Sequence, residues 1–295
     1  MDIVIVNNGL GNQMSQYALY MSKKALHQHV RCLFMDTAHN GIELKNVFGI
    51  PITNGRWGNL IIRFYMCLIK RRFFFPVNSI LSKLNIRFFI ETNHSFQPEI
   101  LKESKGVVFY VGGWHHPSYF KEIDCMVREI YSFPSVTGSA NQKIISESCN
   151  PNAIALHIRR GDYFEGENYK LYGMVCTDNY YRNAISYMEK YVTSNPIYYV
   201  FSNDIDWAKS FLRGRNCVFV NWNKGADSWK DMYLMSQFKN IIIPNSTFSW
   251  WAAYLGCKDK IVCRPPFFVN NEYAPGFYLD NWIEISNEDF PDDRV

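Results

Sequence analysis

Short apolar runs alternate with helix-like segments through the second half of the chain, and this alternation restricts the fold more than any other feature of the sequence. The runs have the length and the β-branched and aromatic content of buried strands. They are AIALHI (153–158), IYYVFS (197–202), CVFV (217–220), NIIIP (240–244) and KIVC (260–263). Strict alternation of strands and helices predicts an α/β fold with a doubly wound parallel sheet.

Favoured cap residues stand where the helices between these strands would begin. Asp and Ser side-chain oxygens accept hydrogen bonds from first-turn N–H groups of a helix. Residues of these types open helical patterns near Asp178, Asp204, Asp227 and Ser246. Each helix is therefore predicted to begin shortly after a strand ends.

The beginning of the chain predicts a separate parallel sheet. An apolar run, IVIV (3–6), meets Gly9 and Gly11, and apolar residues then recur at spacings of three and four. This spacing is typical of an amphipathic helix, for which Asn12 is the predicted cap. The run RCLFMD (31–36) is predicted to be the next strand, which makes the opening β-loop-α-β.

Length and local composition predict two domains. A chain of 295 residues is long enough for two cores of ordinary size. The polar run SVTGSANQ (135–142) begins a passage between the two regular regions, with a boundary expected near residue 150. The predicted domains are therefore 1–150 and 151–295.

Composition excludes several classes of protein. The net charge of +4 is too small to indicate nucleic-acid binding. Eight scattered cysteines form no CxxC pair, which argues against a disulfide framework or zinc site and favours a reducing cytoplasm. The longest apolar stretch, 59–69, contains Arg63 and is too short to span a bilayer, and the N-terminus lacks a signal-peptide pattern.

Three polar segments follow predicted strands of the second half. Ligands of open α/β sheets bind beyond the carboxyl ends of the strands. The segments HIRRGDY, SND with Asn203 and Asp204, and NSTFSWW occupy those ends. We therefore expect them to lie together at one edge of the sheet and to form the site.

The HIRRGDY segment carries two adjacent arginines at the end of a buried strand. If the strand continues through this segment, its alternation places His157 and Arg159 on one face and Arg160 on the other. Buried arginines are costly unless they meet anions, and the guanidinium fork matches phosphate oxygens. The alternative is that both arginines pair with local carboxylates such as Asp162 or Glu165.

The NSTFSWW segment predicts an anion site at the start of a helix. First-turn N–H groups and the helix dipole favour negative charge there. Simple capping is the alternative, and it accounts for one hydroxyl group. It does not account for Asn245, Ser246 and Thr247 in succession, followed by Ser249.

Two further motifs are weaker. The DID segment, with Asp204 and Asp206, resembles the metal-binding DxD of one class of sugar transferases, but it opens a helix, where a cap and a first-turn acid are expected. We predict no metal. The loop with Gly9 and Gly11 lacks both common nucleotide-binding patterns, so its glycines serve either a turn or close approach of the backbone to a ligand.

The region between Lys45 and Arg87 contains eight basic residues and no acidic residue. One interpretation is an ordinary helical excursion with solvated charges. The alternative is a peripheral contact with the inner face of a membrane, where lipid-linked glycans are built.

Taken together, the motifs resemble those of the bacterial α1,2-fucosyltransferases. The matching blocks run in the same order along nearly the whole chain, and the match is weakest from about residue 45 to 105. The blocks are GLGNQMSQYA, HIRRGDY, FSNDIDW, NSTFSWWAAYLG and KIVCRPPFF. The resemblance implies a GT-B-like fold, in which two Rossmann-like domains face a cleft. The implied activity is metal-independent transfer of fucose, with inversion, from GDP-fucose to a galactose hydroxyl of a glycan, with GDP-fucose as substrate and no cofactor.

The resemblance also implies roles for residues. His157 would contact the nucleotide, Arg159 would hold the β-phosphate, and Gly11 with Asn12 would face the reacting centre. Asp162 is the first candidate for the base, with a phosphate oxygen or water as the alternative. The further donor-side candidates are Arg160, Asn203, Asp204, Asn245, Ser246, Thr247 and Ser249.

Departures from the family pattern concern the acceptor. Ser15 stands where the family usually has Phe, and the block with Trp114, His115 and His116 lacks the usual Gln. We expect this block to bind the acceptor. Two rival functions remain: a metal-dependent transferase using Asp204 and Asp206, and a non-catalytic glycan-binding module using Trp114, Trp250 and Trp251.

Overall fold

A computed structural model describes residues 1–27, 29–36, 40–70 and 79–288. The chain forms two compact units, Met1–Ser132 and Phe133–Val295. The predicted boundary near residue 150 therefore lies inside the second unit. The segment 133–150 belongs there because Phe133 stacks on Trp229, with ring centroids 6.1 Å apart.

The first unit contains a four-stranded parallel sheet. Its strands are β1 (Asp2–Val6), β2 (Val30–Phe34), β3 (Ile86–Ile90) and β4 (Val107–Val111), in the order β2-β1-β4-β3. The described helices of this unit are α1 (Leu10–Leu26), α2 (Leu44–Phe48), α3 (Gly55–Lys70) and α4 (Asp124–Ile130). The sequence did not predict β3, an edge strand in which only Phe88 is fully buried.

Helix α1 begins earlier than predicted. Its N-cap is Gly9, whose carbonyl accepts hydrogen bonds from the N–H groups of Asn12 (3.0 Å) and Gln13 (3.1 Å). Asn12 therefore lies in the first turn and is not the cap. Gly9 has φ of −74° and ψ of 167°, which any residue can adopt, and the left-handed turn before the helix is made by Asn8, with φ of 65°.

The second unit contains a six-stranded parallel sheet, as predicted for a doubly wound fold. The strand order is β10-β9-β8-β5-β6-β7. The strands are β5 (Ala153–Ile158), β6 (Ile197–Ser202), β7 (Cys217–Val220), β8 (Asn240–Ile242), β9 (Ile261–Arg264) and β10 (Ile283–Glu284). The last strand, of two residues, was not predicted.

Helices connect these strands. They are α5 (Ser139–Glu147), α6 (Asp178–Tyr191), α7 (Ile205–Phe211), α8 (Trp229–Gln237) and α9 (Thr247–Leu255). Asp204 caps α7 by accepting a hydrogen bond from the Trp207 N–H at 3.2 Å, as predicted. Short helical turns between β5 and α6 cover residues 161–173.

Burial explains why the sequence predicts this sheet well. All six residues of β5 are buried, because the strand lies inside the sheet with helices on both faces. Within the described part of the chain, no helix combines the length and apolar character needed to cross a membrane.

Candidate active site

The sheet order of the second unit brings three polar loops together. Strand β5 lies between β6 and β8, and all three are parallel. The segments that follow them therefore meet at one edge of the sheet, as the sequence predicts. The structure also shows how side chains connect these segments.

Asn203 connects the loop after β6 to the loop after β5. Its Oδ1 accepts a hydrogen bond from the Arg160 N–H at 2.9 Å, and its Nδ2 donates to Asp162 Oδ1 at 3.0 Å. The contact needs a glycine at position 161, because a Cβ there would lie 2.5 Å from Asn203 Nδ2. The glycine of HIRRGDY is thus explained by close approach of the two loops.

Tyr163 connects the loop after β5 to the loop after β8. Its hydroxyl donates to the Asn245 carbonyl at 3.1 Å, and its ring stacks on Tyr172 with centroids 5.0 Å apart. Asn245 is fully buried and donates from Nδ2 to the carbonyls of Tyr172 (3.2 Å) and Phe268 (2.9 Å). Tyr163 and Asn245 together fix the position of the loop that precedes α9.

Arg159 is held at one side of its guanidinium group. Its Nη2 donates to Asp162 Oδ2 at 2.8 Å, and its Cζ lies 5.3 Å from the centroid of the Tyr163 ring. The Nε–H is buried and has no hydrogen-bond partner. A buried donor without a partner is costly, so this group is ready to bind an anionic ligand.

Arg160 has a different environment. Its guanidinium lies between the rings of Phe164 (4.1 Å) and Trp207 (3.9 Å) and pairs with Asp178 at 3.1 Å. Its Nε lies 3.8 Å from Asp204 Oδ2 and, like that of Arg159, is buried without a hydrogen-bond partner. These contacts give Arg160 a structural role, and its predicted donor-binding role stays a prediction.

His157 is buried and neutral. Burial, with a smaller contribution from the Arg159 charge, lowers the pKa of its imidazole to about 3. Its Nδ1 is buried without a hydrogen-bond partner, and its ring centroid lies 6.1 Å from that of Phe248. A neutral imidazole offers a ligand one donor and one acceptor without adding charge.

Helix α9 starts at the same edge of the sheet. Ser246 is the N-cap residue, although its side chain makes no capping hydrogen bond. The buried Ser249 hydroxyl donates to the Ser246 carbonyl at 3.4 Å. The helix dipole places partial positive charge beside Thr247, which suits the predicted anion site.

The predicted DxD segment has structural roles in α7. Asp204 is the cap of this helix, and Asp206 lies in its first turn. Over the residues that the structure describes, no group of three or more His, Cys, Asp or Glu side chains is arranged to hold a metal ion. The structure thus offers no metal-ligand set at this segment.

Two glutamines organise the first loop of the first unit. Gln16 accepts from the Asn7 N–H at 2.8 Å and donates to the Gly112 carbonyl at 2.8 Å. Gln13 donates to the Gly41 carbonyl at 2.8 Å and accepts from the Glu43 N–H at 2.9 Å. Gly11 and Asn12 directly precede Gln13 in the first turn of α1. Their predicted place at the reacting centre stays a prediction.

The turn after β4 holds the predicted acceptor residues. Trp114, His115 and His116 are all buried. The N–H groups of Gly113 (2.6 Å) and Trp114 (3.1 Å) donate to Glu91 Oε2. His116 accepts from the Ser118 N–H at 3.2 Å and so caps the next turn. These contacts define the turn, and acceptor binding by it stays a prediction.

Burial also bears on the glycan-binding alternative. Stacking on a sugar requires an exposed ring face. Trp114, Trp250 and Trp251 are buried in the two cores. They do not form the exposed platform that this alternative requires.

The sequence did not predict a second polar network at this edge, after β7. Asn223 donates to Asp231 Oδ1 at 2.7 Å and accepts from Asn141 at 3.1 Å, and Trp222 donates to Asn141 at 2.7 Å. Burial raises the pKa of the Asp231 carboxyl to about 7, although the Asn223 hydrogen bond acts against this shift. The members come from three elements, which is why spacing alone could not reveal them.

Comparisons with known proteins agree with this architecture. The family model "Glycosyl transferase family 11" matches residues 1–286. Alpha-1,2-colitosyltransferase of Escherichia coli is 33% identical over 305 residues, which cover 97% of this chain and 99% of that protein. Galactoside alpha-(1,2)-fucosyltransferase 1 of Ateles belzebuth is 27% identical over 140 residues, or 45% of this chain and 38% of that protein.

A solved structure with a similar fold is the crystal structure of NodZ alpha-1,6-fucosyltransferase soaked with GDP-fucose. Its TM-score is 0.51 at 14% sequence identity, and the match covers 86% of this chain and 92% of that chain. At this identity the likeness shows the fold. The two parallel α/β units confirm the predicted GT-B-like class.

The Asp231 carboxyl predicts a specific pH dependence of stability. Between about pH 4 and pH 7 the folded state keeps a proton that the unfolded state releases, so the free energy of unfolding falls as the pH rises. Asp231→Asn removes this titration and keeps an acceptor for Asn223. We expect wild type to lose on the order of 2 kcal/mol more than the variant between pH 5 and pH 8 in urea unfolding.

The matched control is Asp227→Asn, which removes an exposed carboxylate near the start of the same helix. This control should follow wild type. Equal pH dependence in wild type and Asp231→Asn would mean that Asp231 is already ionised in the folded protein at pH 5.

Proposed function

The chain belongs to glycosyl transferase family 11, and from this membership we propose that it transfers L-fucose from GDP-β-L-fucose to the 2-hydroxyl of a galactoside. The product would carry an α1,2 linkage, formed with inversion, in the synthesis of a surface polysaccharide such as lipopolysaccharide. The names of two relatives support the linkage: an alpha-1,2-colitosyltransferase and a galactoside alpha-(1,2)-fucosyltransferase.

One observation carries this proposal: the unpartnered Nε–H of Arg159 lies at the edge of the sheet where α9 begins. Cleavage of the bond between fucose and phosphate places negative charge on GDP, as in other glycosyl transfers with an oxocarbenium-like transition state. A fixed guanidinium and a helix N-terminus can stabilise that charge. In the proposal they do so without a metal, and GDP-fucose is a substrate rather than a cofactor.

The remaining donor-side residues have supporting contacts. The unpartnered Nδ1 of His157 suits a hydrogen bond to the nucleotide. Asn245 and Asn203 fix the two loops beside Arg159. We propose that all the predicted donor-side residues contribute to the donor site, and that Arg160 and Asp204 do so by holding the loops in place. These residues are Arg160, Asn203, Asp204, Asn245, Ser246, Thr247 and Ser249.

Asp162 is the candidate base in this proposal. Its carboxylate accepts hydrogen bonds from Arg159 and Asn203, so it also positions the Arg159 guanidinium. A phosphate oxygen or water is the alternative base. Gly11 and Asn12 of the first unit are proposed to face the reacting centre, and the turn with Trp114, His115 and His116 is proposed to form the acceptor side.

A second candidate donor follows from a relative. The full-length match to a colitosyltransferase favours GDP-colitose, whose sugar is L-fucose without the 3-hydroxyl. A site built to hydrogen-bond a hydroxyl rejects an analogue that lacks it by about 10⁴- to 10⁵-fold. The site should therefore discriminate strongly between the two donors.

Competition between the two donors tests the proposed function. The purified chain is given equal GDP-fucose and GDP-colitose with an array of galactose-terminated glycans, in the presence of a chelator. We expect an α1,2-fucosylated galactoside as the main product. A colitosylated product would assign the second donor, activity lost in chelator would support a metal-dependent mechanism, and glycan binding without transfer would contradict both transferase assignments.

Replacement of Arg159 by lysine should lower turnover strongly. Lysine keeps the charge but cannot present two parallel N–H donors. We expect kcat to fall by about 10²- to 10³-fold, as for the loss of a comparable transition-state donor. Arg160→Lys is the matched control. It loses the stacking on Phe164 and Trp207, so we expect a lower thermal midpoint. Its kcat should fall much less than that of Arg159→Lys.

The two variants separate mechanism from folding. Turnover of Arg159→Lys close to that of wild type, in a protein that unfolds normally, would remove Arg159 from the mechanism. Equal losses of kcat in both variants would contradict the separate roles of the two arginines.

Replacement of Asp162 by asparagine distinguishes a base from a positioning residue. The amide cannot accept the proton of the acceptor hydroxyl, so kcat should fall by about 10²- to 10⁴-fold while the donor KM changes little. Steady-state kinetics with varied donor and varied acceptor provide the measurement. A kcat close to that of wild type with a raised donor KM would instead identify Asp162 as a positioning residue for Arg159.

A further inference from the structure

Helix α3 of the first unit has two apolar faces. One face packs against the sheet: Tyr65 is buried and stacks on Phe88, with centroids 5.3 Å apart, and Ile61 and Ile62 pack against the same core. Gly58 is also buried on this face. These residues account for the attachment of α3 to its own domain.

A neighbouring face of the helix exposes large apolar side chains. Trp57 is 80% exposed, Leu60 is 53% exposed and Phe64 is 47% exposed. Their spacing of three and four residues places them in one stripe along the helix. Arg56 and Arg63 are exposed and lie next to this stripe in sequence. A stripe of large apolar side chains on a solvent-exposed surface indicates an interaction site.

The charge of the surrounding sequence restricts what can cover this stripe. Eight of the 31 Lys and Arg residues and none of the 27 Asp and Glu residues fall between residues 45 and 87. Two of these arginines, Arg71 and Arg72, lie outside the described residues. A basic surface attracts an anionic partner and repels an identical surface on a second copy of the chain.

We propose that the outer face of α3 binds an anionic membrane surface. Trp57, Leu60 and Phe64 enter the boundary between headgroups and acyl chains, while Arg56 and Arg63 meet lipid phosphates. The helix lies parallel to the membrane plane, as amphipathic interfacial helices do. The contact would keep the enzyme beside lipid-linked acceptors, but it does not depend on the proposed transferase activity.

Vesicle co-sedimentation tests this inference with the full chain. Wild type is mixed with vesicles of phosphatidylcholine alone or with about 30% phosphatidylglycerol, at about 0.1 M and 1 M salt. We expect binding only to the anionic vesicles, and we expect it to weaken at high salt because the Debye length falls from about 10 Å to about 3 Å.

Two sets of substitutions separate the apolar and the charged contributions. Trp57→Ser, Leu60→Ser and Phe64→Ser together should lower the partition coefficient at least about ten-fold. Arg56→Gln and Arg63→Gln should lower it about five-fold each. The matched control combines Tyr273→Ser and Lys143→Gln, which also remove exposed side chains, and it should bind as wild type does.

Thermal unfolding and sedimentation velocity without vesicles accompany each variant. Unchanged midpoints and masses would show that the substitutions affect the membrane contact alone. Absence of binding to anionic vesicles, or equal binding to neutral vesicles, would overturn the proposal. A wild-type dimer that the serine variants convert to monomer would instead assign the stripe to contact between copies of the chain.

Discussion

Two adjacent arginines at the carboxyl end of a buried strand impose the constraint on which the second unit depends. Each guanidinium loses hydration at that position and needs a compensating partner. Arg160 finds it in Asp178, Asp204 and the flanking rings of Phe164 and Trp207. Arg159 has one carboxylate at one side of its fork. The Nε–H groups of both arginines are buried without a hydrogen-bond partner, but the Arg160 guanidinium has two carboxylates and two aromatic rings around it, whereas that of Arg159 has one carboxylate and one ring. The protein therefore leaves more binding capacity on Arg159.

Hydrogen bonds between the loops hold the Arg159 guanidinium in a fixed position beside the start of α9. Asn203 ties the loop after β6 to the loop after β5, and Tyr163 ties the latter to Asn245 before α9. Donors that stabilise developing charge are most effective when they do not reorganise during the reaction. The buried asparagines and the aromatic stack therefore contribute to function by holding Arg159 and the start of α9 in place.

The sequence predicted the strands that are buried on both faces. It did not predict the edge strand, and it assigned the start of α1 to the wrong residue. The strand β5 was predicted with the bounds that the structure shows, because a central parallel strand is a continuous apolar run. Strand β3 at the sheet edge has no such signature, and the α1 start was assigned to Asn12 although Gly9 takes the cap. The site edge was predictable from topology, whereas the Tyr163 and Asp231 contacts join distant segments and leave no periodic pattern.

Two arginines and the N-terminus of α9 supply the positive charge at the candidate site. His157 adds no charge, because burial and Arg159 lower its pKa to about 3. A protonated His157 would be a positive charge that has lost its hydration next to the Arg159 guanidinium. A neutral histidine beside a charged arginine therefore supplies a polar ligand contact without adding a second buried positive charge.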